Sequence, residues 1–327
     1  MNALDTRRLG WTDLNLTVIG LGTWAIGGGG WKFGWGAQDD KESVAAIHRA
    51  LDLGINWLDT AAVYGLGHSE EVCGRALTGM KRKPIIATKC SRKWTPDGSP
   101  YGCLKKESVR EEIEASLRRL KVDVIDLYQV HRGEPDEDIE EGWGEIARAI
   151  KAGKIRYAGV SNFTVAQMKR IQPIHPIASI QPNYSMLVRD IESEILPFCA
   201  ANKIGVVSYS PMLKGLLTGK MTKERIAQLP ADDHRRYDPR FKEPQLSANL
   251  ALVERLRPIA MRHGKTVAEL AIAWVLRREE ITSAIVGARR PSQIEETVGA
   301  AELNLSKDEL AAIDASLQER TRKLNNK

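Results

Sequence analysis

The feature that most constrains this chain is a rhythm. Eight short apolar runs rich in Ile and Val recur along it, at Val18–Gly22, Ile55–Asp59, Pro84–Lys89, Val124–His131, Ile155–Ser161, Ile177–Asn183, Ile204–Ser210 and Ser283–Gly287. Each is bounded by turn residues, and runs of this kind read as strands buried on both faces of a parallel sheet. Longer amphipathic segments lie between them. Val44, Ile47 and Leu51 in Glu42–Leu53, and Val109, Ile113, Leu117 and Leu120 in Ser108–Leu120, follow helical spacing. The pairs Thr164/Gln167, Thr266/Glu269 and Ser306/Glu309 fit capping boxes at helix starts, and Gly54 and Gly153 fit helix ends. Eight β–α alternations without a linker predict a closed (β/α)8 TIM barrel, with residues 1–327 as a single domain, rather than an open doubly wound sheet. A short hairpin is expected ahead of it, formed by Thr6–Leu9 and Leu14–Thr17 around Gly10-Trp11-Thr12-Asp13. Ser91–Lys105 and Leu216–Leu246 exceed ordinary loop lengths and are expected to be lids or mobile segments.

Composition removes several classes of function. With 43% hydrophobic and 28% charged residues, the chain is not expected to be largely disordered. No run of 18 apolar residues occurs, so no transmembrane helix is expected. The start, MNALDTRRLG, lacks the apolar core of a secretory signal. Net charge is 48 − 42 = +6, but the basic residues are interleaved with acids and the densest short run is Lys81-Arg82-Lys83. That pattern suits a small anionic ligand better than nucleic acid or a membrane surface. Cysteines stand at 73, 90, 103 and 199 with no CxxC and no zinc-ligand spacing. A reducing, cytoplasmic compartment and no metal site are the expectation. Nothing in the sequence addresses oligomeric state.

In a barrel of this kind the chemistry lies at the C-terminal ends of the strands. The second run ends at Asp59, with Tyr64 in the following loop; the third ends at Lys89 and the fourth at His131. An acid, a phenol, an amine and an imidazole thus converge on one mouth. An ammonium beside a phenol favours the phenolate and is expected to lower the pKa of Tyr64, while Asp59 keeps Lys89 charged. His131 would orient a carbonyl oxygen. The set suits proton delivery to that oxygen as hydride reaches its carbon. Residues 22–36, GTWAIGGGGWKFGWG, combine glycine with large rings. Trp24, Trp31, Phe33 and Trp35, with Trp94 and Tyr101 from the Ser91–Lys105 loop, are candidate walls of a substrate pocket, and Arg132 is a candidate polar anchor. Gly20-Leu21-Gly22-Thr23-Trp24-Ala25 spells a dinucleotide fingerprint, but glycines follow where a helix should, so a tight turn is the better reading.

The segment LDTAAVYGLGHSEEVCGRAL (58–77) resembles the aldo-keto reductase signature. ATK (87–89), DLYQVH (126–131), GVSNF (159–163), QPNYS (181–185) and SYSPMLKGLLTGK (208–220) follow in that family's order, and the likeness runs from about residue 7 to 317. It is similar to the bacterial branch of general-stress and inositol-linked reductases. The resemblance implies a (β/α)8 barrel, NADPH, and reversible reduction of aldehydes and ketones as small-molecule substrates. It implies Tyr64 as proton donor, Lys89 and Asp59 as the pair setting its pKa, and His131 as carbonyl orienter. It places Gly22, Thr23 and Trp24 beside the cofactor, and Ser161, Asn162 and Gln181 on the nicotinamide carboxamide. Tyr209 would stack on the ring, while Ser210, Pro211, Leu213, Gly215, Leu217 and Lys220 would wrap the pyrophosphate. Gly287, Arg289, Gln293, Glu296 and Thr297 would take the adenosine end, with Arg289 clamping a 2′-phosphate. Many members carry Lys-Ser in place of Gly287-Ala288 and Asn in place of Thr297, which leaves NADH open as the alternative cofactor.

Two other classes fit the same scaffold. One is a cofactor-sensing regulatory subunit, as in the voltage-gated potassium-channel β subunits, where Asn commonly stands in the position of His131. The other is a Schiff-base lyase with Lys89 as nucleophile, against which Asp59 argues by keeping the amine protonated.

Overall fold

In the computed structural model, which describes residues 4–325, the chain opens with an antiparallel hairpin of β1 (Thr6–Arg8) and β2 (Asn15–Thr17). Thr6 faces Thr17 across it. The apolar runs follow as β3 (Ile19–Gly22), β4 (Trp57–Asp59) and β5 (Ile85–Cys90). A second hairpin, β6 (Arg92–Trp94) with β7 (Pro100–Gly102), interrupts them. The remaining runs are β8 (Ile125–Val130), β9 (Ile155–Ser161), β10 (Ser179–Gln181), β11 (Gly205–Tyr209) and β12 (Ile281–Gly287). Eight of these strands close a parallel barrel in the order β3, β4, β5, β8, β9, β10, β11, β12, with β12 pairing back onto β3.

The helices are α1 (Asp40–Asp52), α2 (His68–Ala76), α3 (Lys106–Leu120), α4 (Ile139–Lys151), α5 (Val165–Ile171), α6 (Ile195–Asn202), α7 (Lys223–Ala227), α8 (Gln245–Arg262), α9 (Val267–Leu276), α10 (Pro291–Val298) and α11 (Lys307–Asn325). Their apolar faces and the outward faces of the strands make one continuous core. Local chemistry sets their starts. Thr164/Gln167 and Thr266/Glu269 form reciprocal capping boxes ahead of α5 and α9. Ser306 and Glu309 exchange the same two bonds ahead of α11.

The barrel interior is filled rather than hollow. Trp57, Ala87, Leu127, Ala178, Val207 and Ile285 point inward from the strands, and Leu9, Leu14 and Leu16 of the hairpin cap the floor beneath them. Trp57 explains a glycine. Its indole lies so close to Gly20 that a Cβ there would stand 2.0 Å from the ring. The indole N–H donates to the Thr17 carbonyl and the Ser283 hydroxyl, both at 3.2 Å.

Both long connections carry structure that periodicity does not reveal. Ser91–Lys105 holds the β6–β7 hairpin. Leu216–Leu246 holds α7 and two 3₁₀ turns at His234–Tyr237 and Pro239–Phe241. These pieces are too short to show a repeat. Side chains start them instead: Asp233 and Asp238 each accept from the backbone two residues on, and each also pairs with the arginine standing there.

Overpacking a filled interior costs about 1–3 kcal/mol. Gly20→Ala, which forces a methyl into the Trp57 ring, is expected to cost at least that much in denaturant melts, and an unchanged midpoint would show that the indole is free to move.

Candidate active site

The C-terminal ends of the barrel strands open into a cavity of about 1340 Å³. At its base Lys89 is 1% exposed. Its ammonium donates to Asp59 Oδ1 and to the Thr60 carbonyl, both at 2.7 Å, and lies 3.4 Å from the Tyr64 hydroxyl. The other oxygen of Asp59 accepts from Gln181 at 2.7 Å and from Gln129 at 3.3 Å. Both ions are thus paired and further bonded, which a buried charge requires. Gln129 is absent from the sequence reading because a buried glutamine in a strand carries no signal that separates it from packing.

The tetrad's electrostatics differ from expectation in one respect. Burial, followed by the charge of Asp59, raises the pKa of Tyr64 well above the usual phenol value. Lys89 does not pull it down in the resting site, because its charge is already matched by Asp59, while the low-dielectric surroundings penalise a phenolate. Burial lowers the Lys89 ammonium, and Asp59 opposes that shift. His131 directly follows β8, and its ring meets the Tyr64 ring edge-on at 5.8 Å. Desolvation, then the nearby cations Lys89, Arg132 and Arg92, hold it well below the usual imidazole value. The mouth therefore presents a neutral phenol and a neutral imidazole at pH 7.

Most residues expected near a cofactor line the same cavity. Gly22, Thr23 and Trp24 leave β3 at its edge, and Ser161, Asn162, Gln181 and Tyr209 stand at the ends of β9, β10 and β11. Tyr209 donates to Asn162 Oδ1 at 2.9 Å, and the Asn162 amide donates to the His131 carbonyl at 3.1 Å. Ser210, Pro211, Gly215 and Lys220 form a second wall. Ser210, Lys214 and Gly215 have positive φ of 58°, 57° and 92°. Gly287, Arg289, Gln293, Glu296 and Thr297 close the far end.

Four expected residues are placed otherwise. Leu213 and Leu217 turn their side chains into the hydrophobic core, so only main chain remains to meet a ligand. Trp94 packs against Trp31, Ala61 and Val63 behind the wall. Trp24, Trp31, Phe33, Trp35 and Arg132 do line the cavity, whereas Tyr101 is 44% exposed outside it.

Arg289 is turned inward. Its guanidinium donates to Gln38 Oε1 at 2.6 Å, to the Trp35 carbonyl at 3.1 Å and to the Ala37 carbonyl. It pins the glycine-rich loop instead of standing free for a phosphate. His234 pins the same loop from the other side, its Nδ1 lying 3.0 Å from the Gly34 carbonyl. The His234 ring lies 4.7 Å from Trp24 and 4.8 Å from Trp35, and burial holds its pKa down to about 4. Nothing in the local sequence separates His234 from an ordinary loop residue. Lys220 and Glu296 form an ion pair of 2.5 Å across the far end.

Residues 18–318 match the Aldo/keto reductase family. The chain belongs to that family. It is 41% identical over 287 residues to the aldo-keto reductase YhdN of Bacillus subtilis, covering 87% of this chain and 85% of that one. It is 36% identical over 312 residues to an NADH-specific methylglyoxal reductase of Escherichia coli, covering 91% and 94%. The solved structure of a glycerol dehydrogenase from Gluconobacter oxydans superposes with a TM-score of 0.87 at 39% identity, over 97% of this chain and 96% of that one. As an aldo-keto reductase the chain is an oxidoreductase, of a family that uses nicotinamide cofactors. Among the described residues no helix is long and apolar enough to cross a membrane, and no three side chains group as metal ligands.

One buried acid stands behind this aldo-keto reductase site. Glu112 of α3 accepts from the Ser91 backbone N–H at 3.1 Å and from the Ser108 hydroxyl at 3.3 Å. Burial pushes its carboxyl up to about 7, against the pull of the Ser91 N–H and Lys93. A folded pKa above the unfolded one stabilises at low pH, and that contribution is lost as pH rises through the folded value. Between pH 4.5 and 8 the wild type is therefore expected to lose up to about 3 kcal/mol relative to Glu112→Gln. Parallel pH profiles of stability for the two proteins would show Glu112 to be solvated.

Proposed function

We propose that the chain is an NADPH-dependent carbonyl reductase that converts small aldehydes or ketones to alcohols, reversibly, with Tyr64 as the general acid. The observation that carries this reading is the Tyr64 hydroxyl 3.4 Å from the buried Lys89 amine, with the Tyr64 ring edge-on to that of His131 in one cavity, where burial favours the neutral phenol and the neutral imidazole.

The walls fit a large polar cofactor. Trp35 Nε1, Asn183 Oδ1 and His234 Nε2 are buried atoms without a hydrogen-bond partner, and all three residues line the cavity. Buried polar groups are normally satisfied, so these call for a polar molecule. The volume of about 1340 Å³ exceeds the range of drug-sized ligands and suits a dinucleotide beside a small substrate. A nicotinamide bound there supplies the hydride. Asn162, Ser161 and Gln181 would hold its carboxamide end, and Tyr209 would face its ring.

The protein's own part is proton management. Neutral His131 donates an N–H to the carbonyl oxygen and fixes its direction. Tyr64 transfers its proton to that oxygen. The raised pKa keeps the proton on Tyr64 until then, and the Lys89 ammonium stabilises the negative charge that develops on the departing phenolate. Lys89, already donating to Asp59 and Thr60, is placed as a cation and not as a nucleophile.

With Arg289 committed to the loop, the free charge at the adenosine end is Arg290, exposed at the start of α10 with Ser292 beside it. We assign the contact with a 2′-phosphate to Arg290 and to the α10 N-terminus. The cavity draws on residues from Gly22 to Thr297, which supports reading the whole chain as one domain. All four cysteines are free thiols, three of them buried, which supports a cytoplasmic setting.

Loss of a general acid costs about 10²–10⁴ in rate. Tyr64→Phe is expected to lose that much in kcat while binding NADPH as tightly as wild type by fluorescence titration; normal turnover would remove Tyr64 from its role. Arg290→Met is expected to raise KM for NADPH about tenfold, the loss of one charge-assisted bond, and to leave KM for NADH within about twofold. Equal changes for both cofactors would return the phosphate to Arg289.

A further inference from the structure

We propose that Arg92 and Arg132 form an anion subsite at the substrate end of the cavity, and that it selects carbonyl substrates carrying a carboxylate. The inference rests on the reductase reading above and deepens it to a substrate class.

The two arginines arrive from different elements. Arg92 opens β6, and Arg132 follows His131 at the end of β8; both line the cavity together with Glu134. Their guanidiniums share that one carboxylate loosely. Arg92 Nη1 lies 3.3 Å from Glu134 Oε2, and Arg132 Nη1 lies 3.9 Å from Glu134 Oε1. Each guanidinium carries five N–H donors. Between them, among the described residues, they make one side-chain hydrogen bond, from Arg92 to Glu134. Arg170, by contrast, makes four such bonds to Asp136 and Glu140.

Charge leaves the same opening. Two cations against one carboxylate give a net +1 at the rim of the site. The side chains of Glu134 and Arg132 are 58% and 47% exposed, whereas that of Arg92 is 19% exposed, so Arg92 is the less solvated of the two cations and gains most from a further acceptor in the cavity. Burial, then the charge of Arg132, lowers the pKa of Arg92, which places the two guanidiniums within each other's field. Both also act on His131. A carboxylate on the tail of a substrate held at Tyr64 and His131 would relieve this repulsion and supply the missing acceptors in a planar, two-point contact.

The backbone beneath is built to hold this position. The Ser91 hydroxyl donates to the Arg132 carbonyl at 3.1 Å and accepts from the Arg132 N–H at 3.3 Å. Ser91 itself has a positive φ of 76° and is held by Glu112. Val63, Trp31 and Phe33 line the cavity as well and supply apolar surface for a short hydrocarbon spacer.

The test compares probes of similar length: succinic semialdehyde, 4-hydroxybutanal and butanal, assayed with wild type, Arg92→Met, Arg132→Met and Glu134→Gln. In wild type kcat/KM for succinic semialdehyde is expected to exceed that for butanal by tenfold or more. That ratio should fall severalfold in either arginine variant and rise in Glu134→Gln. Equal kcat/KM for the acid and for butanal, a preference for 4-hydroxybutanal, or a ratio insensitive to both arginines would overturn the subsite. Succinate binding, read by calorimetry on the cofactor-loaded protein, is independent of turnover. Binding that both arginine variants weaken supports the subsite even if no aldehyde is reduced, in which case the reductase reading alone fails. Binding unchanged in both variants, or no binding at all, overturns it.

Discussion

The structure turns on a buried ammonium. Lys89 can stay charged at the base of the mouth only because Asp59 and the Thr60 carbonyl meet it at 2.7 Å. Asp59 in turn needs Gln129 and Gln181, which stand on β8 and β10. The network of one acceptor and three donors therefore spans β4, β5, β8 and β10, and exists only once those strands share one closed barrel. A second layer supports it from outside. The Thr88 hydroxyl donates to buried Glu70, and Arg119 pairs with the other oxygen of that carboxylate at 2.6 Å. Barrel closure and the ionisation state of the site are one requirement seen from two sides.

In the proposed mechanism, with Tyr64 as the acid, this arrangement resolves an apparent conflict. A phenol that gave up its proton easily would lose it at rest and have nothing to deliver. Burial and Asp59 prevent that by making the phenolate costly. The same low-dielectric setting strengthens the attraction between Lys89 and any negative charge that develops on the Tyr64 oxygen. The cation contributes little while the phenol is neutral and most while it is losing its proton. An interaction that grows along the reaction accelerates it, whereas one present throughout would only bind.

How much of this was legible in the sequence follows from the range of the forces involved. The strands were, because Ile and Val buried on two faces leave continuous apolar runs such as Ile155–Ser161, which matches β9 residue for residue. The capping boxes were, because Thr266 and Glu269 satisfy each other within one turn. The convergence of Asp59, Tyr64, Lys89 and His131 followed from the rule that strand ends share a mouth. What escaped depends on contacts between distant segments. Gln129 reads as any strand residue until Asp59 stands opposite it. Leu213 and Leu217 read as part of a ligand-wrapping loop until the core beneath them is seen to need filling. The direction of the Tyr64 shift escaped because desolvation is a property of the finished cavity, not of any pair of residues.

Arg289 shows the same limit in its sharpest form. From sequence it is a cation at the start of a helix, free to meet a phosphate. In the folded chain three carbonyl-type acceptors of the 35–38 segment have claimed it. A loop with seven glycines in residues 22–36 loses more backbone entropy on ordering than any other stretch of comparable length, so something must hold it. Arg289 does so from β12's end and His234 from the 3₁₀ turn above, and between them Trp24 and Trp35 are fixed against the His234 ring. The rigidity of the aromatic wall is therefore borrowed from the far end of the cavity, where β12 ends. Anything that drew Arg289 away from these three acceptors would loosen the wall facing Tyr64, and this ties the two ends of the cavity together through one side chain.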